Sequence, residues 1–291
     1  MTEPTRTPPS KFRRWYWRGA IAAMILLAVL DIAALTVYIR DTRELAAIAE
    51  RVTTGAITTS EKMRKLADYV SHEVRPGRPD KYLLLPLFRP LRPTAMQVIQ
   101  HGGDCSYKAR AFIVLARRLG IAAHKVALHD SKGEPVHAVA VVETERGEYV
   151  VDLLYGIVYD NPDGSPIPLS ELQRDPDLLA NVIGERVENG QLRKGQYPLE
   201  KYVYSDVKSY NWKQNAFASA CYRGLTPLVG AERLDRLPRP YFESEPALLV
   251  MIGSGIATLV LLSPLAALRY VDHRRAVRAK VAEQKAVASA G

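Results

Sequence analysis

Two long apolar segments lie near the ends of the chain. Residues 19–39 contain one charged side chain, Asp31, and residues 247–268 contain none. A helix needs about 20 apolar residues to cross a hydrocarbon core of ~30 Å, so each segment predicts a membrane-spanning helix. The first segment exceeds the apolar part of a signal peptide, which is about 7–15 residues long, and this favours a permanent anchor.

Basic residues are concentrated at the two ends of the chain. Residues 1–18 and residues 269–291 each carry a net charge of +4, out of +9 for the whole chain. Short segments rich in Lys and Arg stay cytoplasmic, whereas long loops cross the membrane regardless of charge. We therefore expect both termini in the cytoplasm and residues 40–245 outside it, in the periplasm or at the surface of a bacterial cell. The nearly neutral middle also argues against nucleic-acid binding.

Asp31 needs a polar partner if its segment crosses the membrane. Asp31 and Ser254 lie at matched depth when each is counted from the centre of its segment. Gly253 and Ala257 have the spacing of small residues that allow two helices to approach closely. We predict a hydrogen bond between Asp31 and Ser254 of the same chain; the alternative is that Asp31 faces another subunit or protein.

The domain between the apolar segments begins with a pattern typical of helices. Thr58 and Glu61 form a candidate capping box that opens a helix ending near residue 70. A second helix is predicted over residues 104–119, where Gly120 provides the stop. Between these helices, residues 76–93 contain five prolines and an apolar cluster, which favours an extended strap packed on the domain.

Three strand-like runs follow the second helix, and they predict an α+β domain. They cover residues 122–128, 136–142 and 148–152. The middle run is apolar on both faces and should be the central strand. A tight turn pairs Glu143 with Glu148, and this register places Asp152 diagonally across from His137, within reach of the two side chains. The predicted core covers about residues 57–160, followed by an aromatic-rich extension at 161–245.

Cys105, His137 and Asp152 together have the properties of a nucleophilic site. Cys105 lies in the first turn of the second helix, where the helix N-terminus favours a thiolate. A neighbouring imidazole can activate the sulfur, and a carboxylate can orient that imidazole. Each residue alone has an ordinary structural interpretation, but their joint order favours a Cys-His-Asp site. A zinc site formed by Cys105, His124, His129 and His137 is disfavoured, because no pair has the spacing of a zinc knuckle.

The same residues resemble bacterial transglutaminase-like proteins of the papain-like cysteine enzyme superfamily. The resemblance rests on Gly-Gly-Asp-Cys-Ser at 102–106, Ala-Arg-Arg-Leu-Gly-Ile at 116–121, the His-Ala-Val-Ala-Val run from His137, and Val-Val-Asp ending at Asp152. It implies helices packed on an antiparallel sheet. It also implies that Cys105 is the nucleophile, His137 the general base and acid, and Asp152 the orienting carboxylate.

Enzymes of this kind need an oxyanion donor, commonly a side chain upstream of the nucleophile together with the nucleophile's own N–H. Gln97 and Gln100 are the candidates, although a Gln at such a position is commonly a solvated surface residue. We expect Cys105 to be a free thiol that is not bonded to Cys221. Cys221 is interpreted as a buried apolar residue in a helix.

The extension after residue 195 is rich in aromatic side chains. They could line a carbohydrate or peptide groove, or form a packing layer between the domain and the bilayer. The residues concerned are Tyr197, Tyr202, Tyr204, Tyr210, Trp212 and Phe217.

Together these features predict a membrane-anchored enzyme that acts on amide bonds, by hydrolysis or acyl transfer through a Cys105 thioester. The expected substrates are peptide or protein amides, those of the cell wall among them. No cofactor, metal ion or nucleic acid is implied. The alternative is a non-catalytic scaffold or binding module in an envelope polysaccharide or secretion assembly.

Overall fold

The computed structural model describes most of the chain. The described residues are 11–77, 93–130, 132, 134–208, 212, 216–235 and 245–290. The chain divides into two compact units, one made of residues 1–38 and 247–291 and the other of residues 39–246. Most of the strap predicted at residues 76–93 lies outside the described residues.

Two long helices contain the apolar segments. Helix α1 covers Lys11–Val52, and the last helix, α9, covers Pro246–Ala290. Each is long and apolar enough to cross a membrane, and many of their large apolar side chains are exposed. The hydroxyl of Ser254 donates a hydrogen bond to the carboxyl group of Asp31. This contact confirms the predicted pairing of Asp31 and Ser254 within one chain.

Three helices come before the sheet in the larger unit. Helix α2 covers Thr59–His72, α3 covers Ala95–His101 and α4 covers Cys105–Arg118. The capping box predicted for α2 is present, because the Thr58 hydroxyl accepts from the Glu61 N–H and the Glu61 carboxylate accepts from the Thr58 N–H. Helix α4 agrees with the predicted second helix and is followed by Gly120, whose φ is +74°.

The five strands found among the described residues form one antiparallel sheet. They are β1 (Ala123–His129), β2 (Pro135–Thr144), β3 (Gly147–Asp152), β4 (Ile157–Tyr159) and β5 (Val203–Lys208), in the spatial order β4-β3-β2-β1-β5. Strand β2 is central, as predicted, and Glu143 pairs with Glu148 in the predicted register. Strands β4 and β5 were not predicted from the sequence.

Both faces of the sheet are covered. Helices α2, α3 and α4 pack on one face, around Phe112, Leu115 and Val142. The other face packs against the extension, which contributes α5 (Leu169–Arg174), α6 (Pro176–Glu188) and buried tyrosines. Helices α7 (Ala216–Val229) and α8 (Ala231–Asp235) follow β5. Alternation along β2 places His137 on the same face as Val139 and Val141, the face covered by the extension.

Candidate active site

A tight turn that contains Gly102 and Gly103 comes directly before α4, which begins at Cys105. Gly102 has a φ of +91°, and a Cβ at this position would lie 2.5 Å from the Arg75 carbonyl oxygen. Asp104 then caps the helix, since its carboxylate accepts from the Tyr107 N–H at 3.0 Å. Cys105 is therefore the first residue of α4 and is half-buried. The Cys105 side chain therefore lies at the positive end of the α4 helix dipole.

His137 and Asp152 form a buried pair, as the strand register predicts. The His137 Nε2 atom lies 2.6 Å from Asp152 Oδ2, and neither side chain is exposed. The other carboxylate oxygen accepts from the backbone N–H groups of Leu154 at 3.0 Å and Tyr155 at 3.3 Å. Asp152 is thus fixed on both oxygens, and its contact with Nε2 turns Nδ1 away from the carboxylate.

The second ring nitrogen of His137, Nδ1, is not the atom that contacts Asp152. Nδ1 is buried and makes no hydrogen bond of ordinary geometry within the described part of the chain. Cys105 nevertheless interacts with the ring. A nucleophile and its base are often more widely separated before substrate binds. The contact between Cys105 and His137 can therefore shorten when substrate binds.

The protonated form of His137 is favoured by its partners. Burial alone lowers the pKa of the ring, but the negative charge and hydrogen bond of Asp152 act in the opposite direction. Cys105 adds to the same effect, and the net result raises the pKa of His137 from 6.5 to about 9. At neutral pH the imidazole is therefore held as the imidazolium, which can stabilise a nearby thiolate and donate a proton.

Two tyrosines that the sequence analysis did not connect with the site enclose His137. The Tyr202 ring stacks on the imidazole, with ring centroids 4.2 Å apart and planes inclined by 9°. The Tyr155 centroid is 5.7 Å from that of His137, and its hydroxyl lies 3.2 Å from the Tyr202 hydroxyl. Tyr202 belongs to the aromatic segment identified above, but nothing in the sequence pattern brings it to His137.

The remaining aromatic residues of the extension have different roles. Tyr197 and Tyr204 are buried, and their hydroxyls lie 2.9 Å and 3.0 Å from the Tyr159 hydroxyl. These two side chains are packing residues, since buried Tyr hydroxyls need such partners. Trp212 donates from Nε1 to the Leu234 carbonyl at 3.2 Å. Tyr210 and the side chain of Phe217 lie outside the described residues.

The two oxyanion candidates lie on α3. The Gln97 side-chain oxygen accepts from the Thr94 N–H at 2.9 Å, and the Thr94 hydroxyl accepts from the Gln97 N–H. This capping box leaves the amide nitrogen of Gln97 as its donor toward other groups. Gln100 is exposed. The oxyanion role of either residue stays a prediction.

Two buried lysines lie close to Cys105 in sequence or in space. Lys108, one turn later on α4, donates to the Ser71 carbonyl at 2.8 Å, and burial lowers its pKa. Lys125 on β1 donates to the hydroxyl of Ser106, the residue after Cys105, at 2.8 Å. Neither lysine was predicted to lie near the site, because a charged side chain on a predicted helix or strand is ordinarily solvated.

Both cysteines are free thiols, which confirms that Cys105 is not bonded to Cys221. Cys221 lies in α7, as predicted, but is half-buried rather than buried. Across the described residues, no cluster of three or more His, Cys, Asp and Glu side chains is arranged to hold a metal ion.

The fold and these residues define an α+β domain with a cysteine at a helix N-terminus beside a buried His–Asp pair. Residues 46–151, about a third of the chain, match the family model of the transglutaminase-like superfamily. This part of the chain is a transglutaminase-like domain, and the match confirms the resemblance seen in the sequence.

Other comparisons add little to this assignment. No curated protein matches the sequence. A crystal structure from Parabacteroides distasonis, described as a "putative protease", is similar at 12% identity with a TM-score of 0.31. The similarity covers 42% of the present chain and 26% of that protein. It is too weak to extend the description of the fold.

Proposed function

We propose that the protein is a membrane-anchored cysteine enzyme that acts on amide bonds of peptides or proteins. The observation that carries this proposal is the buried His137–Asp152 pair, with Nε2 and Oδ2 2.6 Å apart, beside a thiol at a helix N-terminus. A scaffold has no need to bury a charged imidazole against a carboxylate, because burying such a pair costs desolvation energy.

In the proposed reaction, the Cys105 thiolate attacks the carbonyl carbon of the amide and forms a tetrahedral intermediate. The His137 imidazolium then gives its proton to the leaving nitrogen as the C–N bond breaks, which leaves a thioester on Cys105 and a free amine. Neutral His137 next takes a proton from water or from an acceptor amine, whose attack on the thioester restores the thiolate. Asp152 keeps the ring oriented throughout.

The negative oxygen of the tetrahedral intermediate needs hydrogen-bond donors. The Cys105 N–H belongs to the first turn of α4, where N–H groups have no partner within the helix. The amide nitrogen of Gln97 is the second proposed donor, because the oxygen of that side chain already accepts from Thr94. Gln100, three residues later on α3, is the alternative.

We further propose that the enzyme is held in the cytoplasmic membrane by residues 19–39 and 247–268, with both termini in the cytoplasm. The basic tails and the apolar lengths of α1 and α9 support this orientation. The domain would then meet substrates of the periplasm or cell envelope, and cell-wall peptides are the first class to examine.

The test combines thiol reactivity with product analysis. In the full-length protein at about pH 6–7, iodoacetamide should modify Cys105 much faster than Cys221, and His137→Ala should slow the reaction at Cys105. Envelope material from cells that express the native or the Cys105→Ala protein should differ in one amide by mass spectrometry, whereas Cys221→Ala should behave as native. Alkylation that is indifferent to His137, with no changed amide, would favour the scaffold function.

A further inference from the structure

A groove of about 320 Å³ lies in the part of the domain that the family match does not cover. Its walls come from α5, α6 and the segment that leads into β5. The lining is mainly apolar and includes Leu172, Leu179, Ala180, Leu199 and Tyr202. Glu200 is the one charged residue in this lining, and it is exposed.

The groove and the candidate active site share a side chain. One face of the Tyr202 ring is stacked on His137, with centroids 4.2 Å apart. Tyr202 is also one of the residues that line the groove. A group bound in the groove would therefore contact the tyrosine that stacks on the His137 imidazole.

From this shared wall we infer that the groove is a specificity subsite, which binds an apolar side chain of the acyl donor next to the amide that Cys105 attacks. The inference rests on the proposed function. Ligand sites are ordinarily apolar cavities of about 300–1,000 Å³, so a groove at the lower limit suits one side chain or a short alkyl chain rather than a whole polymer. Glu200 at the rim disfavours substrates with a carboxylate at this position.

Two features of the lining make the subsite testable. Ala180 is an exposed residue of α6 that lines the groove, so Ala180→Trp should fill the groove without disturbing the core. Asn181, the next residue, is also exposed but is not part of the lining. Asn181→Trp is therefore the matched control for the size and hydrophobicity of the new side chain.

The experiment compares iodoacetamide with its N-butyl, N-hexyl and N-octyl derivatives on the full-length protein in detergent. All four alkylate a thiolate with loss of iodide and differ only in the apolar tail. The rate at Cys105 is divided by the rate at Cys221 of the same molecule, since detergent partitioning of a tail affects both. We expect the ratio to rise at least about tenfold with the best tail, because each buried methylene contributes favourably.

Ala180→Trp should remove this rise with tail length, and Asn181→Trp should keep it. The proposed subsite would be contradicted if the ratio of the Cys105 rate to the Cys221 rate did not depend on the tail, or if both variants changed that ratio equally. Failure of the proposed function has a different signature: the iodoacetamide rate would not respond to His137→Ala, whatever the tails do.

Discussion

Asp152→Asn is the sharpest probe of the electrostatics at the site. The substitution keeps the size of a side chain that is fully buried, removes its charge and replaces one of its two acceptor oxygens with an NH2 donor. In the native protein Asp152 opposes the effect of burial and holds the pKa of His137 at about 9, against an ordinary value of 6.5. A single opposite charge shifts a neighbouring pKa by about 1–3 pH units, so we expect the His137 pKa to fall by that amount in the variant.

The raised pKa of His137 also makes the stability of the folded protein depend on pH. The pKa of His137 in the folded protein lies above the unfolded value of 6.5. Protonated His137 therefore stabilises the folded protein fully below pH 6.5, and this stabilisation is lost as the pH rises through about 9. At 1.36 kcal/mol per pH unit, the difference corresponds to about 3 kcal/mol of unfolding free energy. The stability of the native protein should therefore decline across this range more steeply than that of Asp152→Asn.

Two measurements check these expectations on the full-length protein. Nuclear magnetic resonance of labelled histidine gives the pKa directly, and among the six histidines the His137 signal is assigned by its absence in His137→Gln. Denaturant unfolding between about pH 6 and pH 10 gives the stability curve. A pKa of native His137 at or below 6.5, or an unchanged His137 pKa in Asp152→Asn, would contradict the proposed effect of Asp152 on the imidazole.

The glycine turn, the helix pair and the membrane orientation each provide a further prediction. Gly102→Ala should reduce the unfolding free energy by about 1–3 kcal/mol more than Gly120→Ala, because both have positive φ but only Gly102 also meets a carbonyl oxygen; equal losses would contradict this. The double replacement Asp31→Cys with Ser254→Cys should give a disulfide within one chain, and cross-links found only between chains would contradict the observed pairing. Reporters active only outside the cytoplasm should work after Thr53 and fail after Val287, and activity at Val287 would exclude the two-anchor orientation.

The core of the site was predictable because it depends on short-range constraints. Helix α4 has a clear start at Asp104 and places Cys105 in its first turn. The two-residue turn between β2 and β3 fixes the strand register, and a register once fixed determines every cross-strand neighbour. Asp152 and His137 are only 15 residues apart, so few alternative pairings compete with the observed one.

The aromatic enclosure of His137 depends instead on long-range pairing. Strand β5 pairs with β1, which lies about 75 residues earlier in the sequence. Leu128 pairs with Val207, but an irregularity after Leu128 makes the next residue of β1 pair with Val203. Leu128 also pairs with His137 across β1 and β2, so this register brings Tyr202, the residue before Val203, to the imidazole. No periodicity within the extension encodes such a pairing, because β-strand order is decided by contacts between distant segments.

The reacting groups of the site and the proposed substrate groove therefore come from different parts of the sequence. The thiol, imidazole and carboxylate come from α4 and the β2–β3 hairpin, whereas the groove beside Tyr202 comes from α5, α6 and the entry to β5. A change in the groove can alter which apolar side chain binds without moving Cys105, because the contacts that fix Cys105 and Asp152 come from the cap and first turn of α4 and from the residues that directly follow β3. Selectivity should therefore respond to substitutions such as Ala180→Trp, while the reaction of Cys105 with a small alkylating agent continues to depend on His137.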